Sequence, residues 1–185
     1  MQPAGHNGAR MRGLLAAAAS SGIARLIERA FRLIPLDKVW ARIFGPPDLG
    51  PVDFAALRLR STPNDALACP EGFCPHARPD IVPPEFGVPA ERLRAILVEV
   101  ALSEPGTERL PSDGTGERFL VRTRFYRFPD TVDALVIAVG EGRSTLALYS
   151  RSQIGRYDFD VNRARLSRWL AAIESRIARE ARPSA

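Results

Sequence analysis

Tyr149-Ser150-Arg151-Ser152-Gln153-Ile154-Gly155-Arg156-Tyr157-Asp158-Phe159-Asp160-Val161-Asn162-Arg163 is where a strand pattern turns into a helical one. Its first half continues an alternation that begins at Ser144 and sends Leu146 and Leu148 one way, and Thr145, Ala147, Tyr149, Arg151 and Gln153 the other. Its second half opens a helix near Phe159 or Asp160, with Leu166, Trp169, Leu170, Ile173 and Ile177 on one buried stripe. Asp158 or Asp160 is placed to cap the first turn by accepting backbone N–H groups.

Working backwards, Gly140-Glu141-Gly142-Arg143 predicts a hairpin turn, preceded by a strand from Val132 to Val139 with Asp133, Leu135, Ile137 and Val139 on one face. An earlier strand carries Phe119, Val121, Thr123 and Phe125 on one face and Arg122, Arg124 and Tyr126 on the other. Thr107 to Ser112 is a weaker edge-strand pattern, interrupted by Pro111. Before these, Leu93, Ile96, Leu97 and Val100 form a helical stripe after Pro89. The order helix, three to four strands, helix predicts an α+β fold: a two-layer sandwich of an antiparallel sheet with both helices on its apolar face.

The chain has 185 residues, 45% of them hydrophobic, enough for one ordinary core with an appendage. Three regions are expected: a basic arm over 1–43, a proline-rich linker over 44–88 and a compact domain over 89–180. Residues 1–43 hold seven basic and two acidic residues, and 44–185 hold nineteen of each, so the whole net charge of +5 sits in the arm. A nucleic-acid-binding domain would concentrate its excess charge on the folded face, and no motif of that class is present. An anionic surface is the partner this asymmetry favours.

Within the arm, Ile23, Leu26, Ile27, Ala30, Phe31 and Ile34 recur at helical spacing between Arg25, Glu28, Arg29 and Arg32. Such a helix is too charged to span a bilayer. Two readings stand: it lies in a membrane interface with its arginines towards anionic headgroups, or it packs on its own domain or another subunit. Arg10, Arg12 and the short apolar run Gly13 to Ala19 weakly imitate an export signal.

Ten of the sixteen prolines lie between positions 46 and 89, which predicts an extended segment wrapped along a domain or crossing between parts. It carries both cysteines, in Cys69-Pro70-Glu71-Gly72-Phe73-Cys74, where Gly72 permits a tight turn. A small disulfide loop, paired thiols and two unrelated side chains are all open readings. His76 adds a third potential metal ligand, but a structural zinc site needs four and no second pair appears, so no metal or other cofactor is assigned.

Arg122-Thr123-Arg124, Phe128-Pro129-Asp130-Thr131-Val132-Asp133 and the arginine-serine, glycine, aspartate and asparagine-arginine spacing from Arg151 to Arg163 resemble the family catalogued as domain of unknown function 1499. The resemblance covers roughly Pro63 to Ile173. It implies an envelope setting, because other members often begin with a membrane segment or export signal, but it supplies no activity. Many members have a Pro-Asn-Cys segment where this chain has Pro63-Asn64-Asp65 and then Cys69.

The candidate ligand-binding set is Arg122, Arg124, Tyr149, Arg151, Gln153, Arg156, Asp158, Asn162 and Arg163, a combination suited to carboxylate or phosphate. The competing reading is an internal network in which Asp130, Asp133, Asp158 and Asp160 pair with these arginines. Ser150 and Ser152 have no histidine partner within the domain, so no catalytic residue is assigned. The expected function is a non-enzymatic accessory protein of the bacterial envelope, peripheral to the membrane, binding a small anionic or lipid-like ligand or a protein partner through the arginine-bearing sheet face. The alternatives are a hydrolase-like enzyme using Asp158 or Asp130 with the arginines, and a structural subunit of an envelope complex.

Overall fold

The computed structural model describes residues 35–112, 114 and 116–181. Strands β1 (Asp65–Ala68), β2 (Thr107–Arg109), β3 (Glu117–Arg122), β4 (Pro129–Gly140) and β5 (Arg143–Ser152) form one antiparallel sheet in the order β1-β5-β4-β3-β2. Helices α1 (Leu36–Phe44), α2 (Ala90–Ser103) and α3 (Val161–Glu180) accompany it. None of the described helices is long and apolar enough to cross a membrane. The amphipathic pattern over Ile23 to Ile34 and the export-like run lie outside the described residues.

The fold is α+β as expected, with a five-stranded sheet rather than three to four strands. The unforeseen strand is β1, which pairs with β5 at the sheet edge through Asp65↔Arg151 to Ala68↔Leu148. Four residues among prolines carry little alternation to read. Residues 44–88, expected as a linker, therefore supply a strand, and they also cover the second sheet face.

Alternation along the strands builds two separate cores. On one face Phe119, Val121, Val132, Ala134, Leu146 and Leu148 meet Leu93, Ile96 and Leu97 of α2 and Leu166, Trp169, Leu170 and Ile173 of α3. Trp169 stands edge-on to Phe119 at 5.6 Å. On the other face Leu67, Ala147 and Tyr149 pack under Phe54 and Leu57 of the proline-rich segment and beside Cys69 and Cys74. These two cysteines are joined in a disulfide, with Cα atoms 6.6 Å apart.

β3 ends at Arg122, so Thr123 to Tyr126 do not continue its alternation as expected. Thr123 accepts the Phe128 N–H on its hydroxyl (2.9 Å) and donates its own N–H to the Phe128 carbonyl (3.0 Å), closing a turn in which Arg127 takes φ 56°. The pairs Arg122↔Pro129, Asp130↔Ser152 and Asp65↔Arg151 bring the turn 123–128, the loop 153–160 and the segment before β1 to the same end of the sheet. Helix α1 is fixed there as well: Arg127 donates to Asp37 at 2.6 and 3.0 Å, and the Trp40 indole donates to the Tyr126 carbonyl at 2.6 Å.

Candidate functional site

The strand-to-helix corner places Ser150 and Ser152 of β5, Asp130 of β4, and Asn162 and Arg165 of α3 on the helix-covered face, all of them buried. Arg165 and Asp130, each 2% exposed, form an ion pair at 2.7 Å. Arg165 also donates to Ser150 Oγ (2.9 Å) and to Asn162 Oδ1 (2.7 Å), while the Ser150 hydroxyl donates to the same Asn162 oxygen (2.5 Å). The Asn162 amide nitrogen lies within donating distance of Asp158 Oδ2 (2.7 Å), Ser152 Oγ (2.9 Å) and the Asn64 carbonyl (3.1 Å). Asn64 donates in turn to the Gly155 carbonyl at 2.7 Å, and Gly155 sits at φ 94°, a conformation that favours glycine.

Asp158 accepts the Asn162 N–H at 3.0 Å, which makes it the side chain that caps the first turn of α3. Burial pushes the Asp130 carboxyl above its ordinary range, against the opposing charge of Arg165. The Ser150 proton is directed at an amide oxygen, not at a base, so the corner has the chemistry of a structural joint.

On the opposite face a second cluster gathers around Asp133. It accepts from Arg118 and Arg151, each at 3.1 Å, and Arg118 is also held by Asp48. Arg151 donates to the Gly50 carbonyl (2.5 Å) and lies over the Tyr149 ring at 5.6 Å, while the Tyr149 hydroxyl donates to Asp65 (2.5 Å). Two guanidiniums thus meet two carboxylates. Burial raises Asp133 against the pull of both arginines. Burial also pushes Asp48 up, but the Arg118 hydrogen bond and the Gly50 N–H outweigh it and leave that carboxyl below its ordinary range. Arg151 is lowered by burial, and Tyr149 is raised by burial and by Asp65.

The nine residues expected to share a ligand site are therefore distributed. Tyr149, Arg151 and Gln153 lie on the loop-covered face, where Gln153 donates to the Pro46 carbonyl at 2.5 Å. Asp158 and Asn162 lie at the helix corner. Arg122 pairs with Glu108 (2.9 Å) and Asp37 (3.5 Å). Arg124 lies 5.4 Å from the Phe125 ring centroid, on the exposed turn. Arg156 and Arg163 are exposed. Of the internal network that competed with the ligand reading, the pair Arg151–Asp133 is present, while Arg122 is held by Glu108 and Asp37 instead. Arg118, Arg165, Asn64 and Asp48 were missed. An arginine on a strand or helix face gives no sign in sequence of whether it points into a paired interior.

Beside the second cluster lies an open cleft of about 550 Å³ between residues 51–55, Phe73 and the sheet. Its apolar walls are Pro51, Val52, Phe54, Phe73 and Leu135, and Arg118 and Asp133 lie among its polar lining. Among the described residues, no group of three or more histidines, cysteines and carboxylates could hold a metal ion.

The model of the family described as protein of unknown function (DUF1499) matches residues 56–173, well over half of the chain, and the chain belongs to that family. No curated protein matches it.

Proposed function

We propose that this member of the family is a non-enzymatic accessory protein of the bacterial envelope, working at a membrane surface and holding a small lipid-like molecule with an anionic head in the cleft of its loop-covered face. The observation that supports this reading is the cleft itself. Apolar walls with a few placed polar groups are how small-molecule sites are built, and here Pro51, Val52, Phe54, Phe73 and Leu135 line the cleft together with Arg118.

Arg118 is shared between buried Asp133 and the more open Asp48. A phosphate or carboxylate head entering the cleft takes the place of Asp48, and Asp133 keeps the guanidinium aimed. The carboxylates in the lining, Glu117 and Asp133, are themselves tied to arginines, an arrangement suited to holding a molecule without transforming it.

The test is native mass spectrometry of the full chain purified gently from its source cells, beside Leu135→Trp, which fills the cleft. The expected result is added lipid-sized mass on the wild type and none on the folded variant. A wild type without added mass, or added mass that survives Leu135→Trp, overturns the assignment of the cleft.

A further inference from the structure

Exposed large apolar side chains are gathered at one end of this molecule. Of the ten described residues in that class, eight belong to α1, the turn 123–128, the loop leading into α3 or the first residue of α3: Val39, Ile43, Phe44, Phe125, Tyr126, Tyr157, Phe159 and Val161. The other two, Val82 and Leu102, belong to other segments, and scattered single residues of that kind are ordinary. The sheet registers, the Asp37–Arg127 pair and the Gln153 contact with the carbonyls of Phe44 and Pro46 bring these segments to the same end.

The backbone there favours presentation over comfort. Phe159 is 92% exposed and Tyr157 68%. The three non-glycine residues with positive φ among those described, Arg127, Phe159 and Asp160, all lie at this end. A bulky side chain at φ 54° is uncommon and costs conformational energy. The corner beneath Phe159, tied by Asn64, Ser152, Asp158 and Asn162, holds it in place.

Basic groups surround these rings. Arg42, Arg156 and Arg163 are exposed with no partner among the described residues, and Asp160 is an exposed acidic group of the same loop. The described chain begins at Pro35, one residue before α1. Aromatic rings interleaved with arginines match the boundary between acyl chains and anionic headgroups.

We infer that this end of the sheet is a docking face for an anionic phospholipid bilayer: Phe125, Tyr157 and Phe159 enter the interface, and Arg42, Arg156 and Arg163 meet the headgroups. The inference rests on the membrane-surface reading above and specifies its site. It is independent of the cleft.

The experiment is sedimentation of the full chain with vesicles of phosphatidylcholine alone and of phosphatidylcholine with phosphatidylglycerol, at low and high salt. Trp40 fluorescence serves as the local readout, since its ring lies 5.1 Å from Phe128 beneath this face. Wild type is expected to bind the anionic vesicles with loss at high salt and a blue-shifted Trp40. Arg156→Glu/Arg163→Glu should weaken binding about tenfold or more, because each basic group near such a surface contributes about a factor of five. Phe159→Gly should weaken binding while leaving thermal stability equal or higher. Unchanged vesicle binding in both variants overturns the docking face and transfers binding to residues 1–34. Concentration-dependent dimers that vanish in Phe159→Gly overturn it in favour of a second copy of the chain. Wild type that binds neither vesicle overturns the membrane-surface reading itself, whatever the cleft holds.

Discussion

Asp130 and Asp133 lie on one strand, three residues apart and therefore on opposite faces of the same sheet. Each is a buried aspartate facing arginine, yet their surroundings differ. Asp130 meets Arg165 beneath two packed helices, and both groups are 2% exposed. Asp133 shares Arg118 and Arg151 with Asp48 and the Gly50 carbonyl, next to an open cleft. The helix-covered face is thus a closed joint with few substitutes for any partner. The loop-covered face spreads its charge over several groups.

The largest expected effect is on the closed face. Asp130→Ala leaves Arg165 buried with only Glu104, 3.6 Å from its Nε, as a carboxylate neighbour and should cost about 3 kcal/mol, read as the shift in free energy from urea unfolding of the full chain. On the open face, Asp133→Asn leaves Arg118 with Asp48 and Arg151 with the Gly50 carbonyl, and should cost about 1.5 kcal/mol. Equal losses in the two variants would show that the faces do not differ in the way described.

A smaller effect concerns acid. Glu117, at the rim of the helix face, is pushed up by burial, but the guanidiniums of Arg109 and Arg94 outweigh this and hold it below its ordinary value of 4.5. Its contribution is present above that value and is lost as pH falls through the lower folded value. Glu117→Gln should flatten the acid limb of the stability profile by about 1 kcal/mol or less, since both arginines are half exposed. Asp130 and Asp133, whose folded values are raised above 3.8, run the other way: their contribution is present below 3.8 and is lost as pH rises through the folded values. Stability that falls more steeply with acid in Glu117→Gln than in wild type would contradict the assignment.

Long elements with regular periods were legible from sequence. The alternation of Leu146 and Leu148 against Ala147 and Tyr149, and the stripe from Leu166 to Ile173, predicted β5 and α3 on the correct faces. Short or proline-bordered pieces were not: β1 has four residues, and its partner β5 is remote in sequence. The spacing from Arg151 to Asn162 marked the corner as a unit, yet it could not separate an anion site from an internal joint. That depends on Arg165, Asn64 and Asp130, which converge only once the sheet is folded. The disulfide depended on the same convergence, because Cys69 and Cys74 pack beneath Phe54 and Leu57 of the covering segment.

The edge position of β1 has a consequence for biosynthesis. Asp65 meets the Tyr149 hydroxyl 84 positions further along the chain, and among the described residues β5 is the one strand that pairs with β1, whose other side makes a single bridge from Ala68 to Ile81. A growing chain can form the local β3-β4-β5 meander only as its last third emerges, and β1 must wait for that meander before it can join. Until then the described segment from Pro35 to the disulfide loop has no sheet face to cover, so the core beneath Phe54 and Leu57 is the last part of the molecule to close.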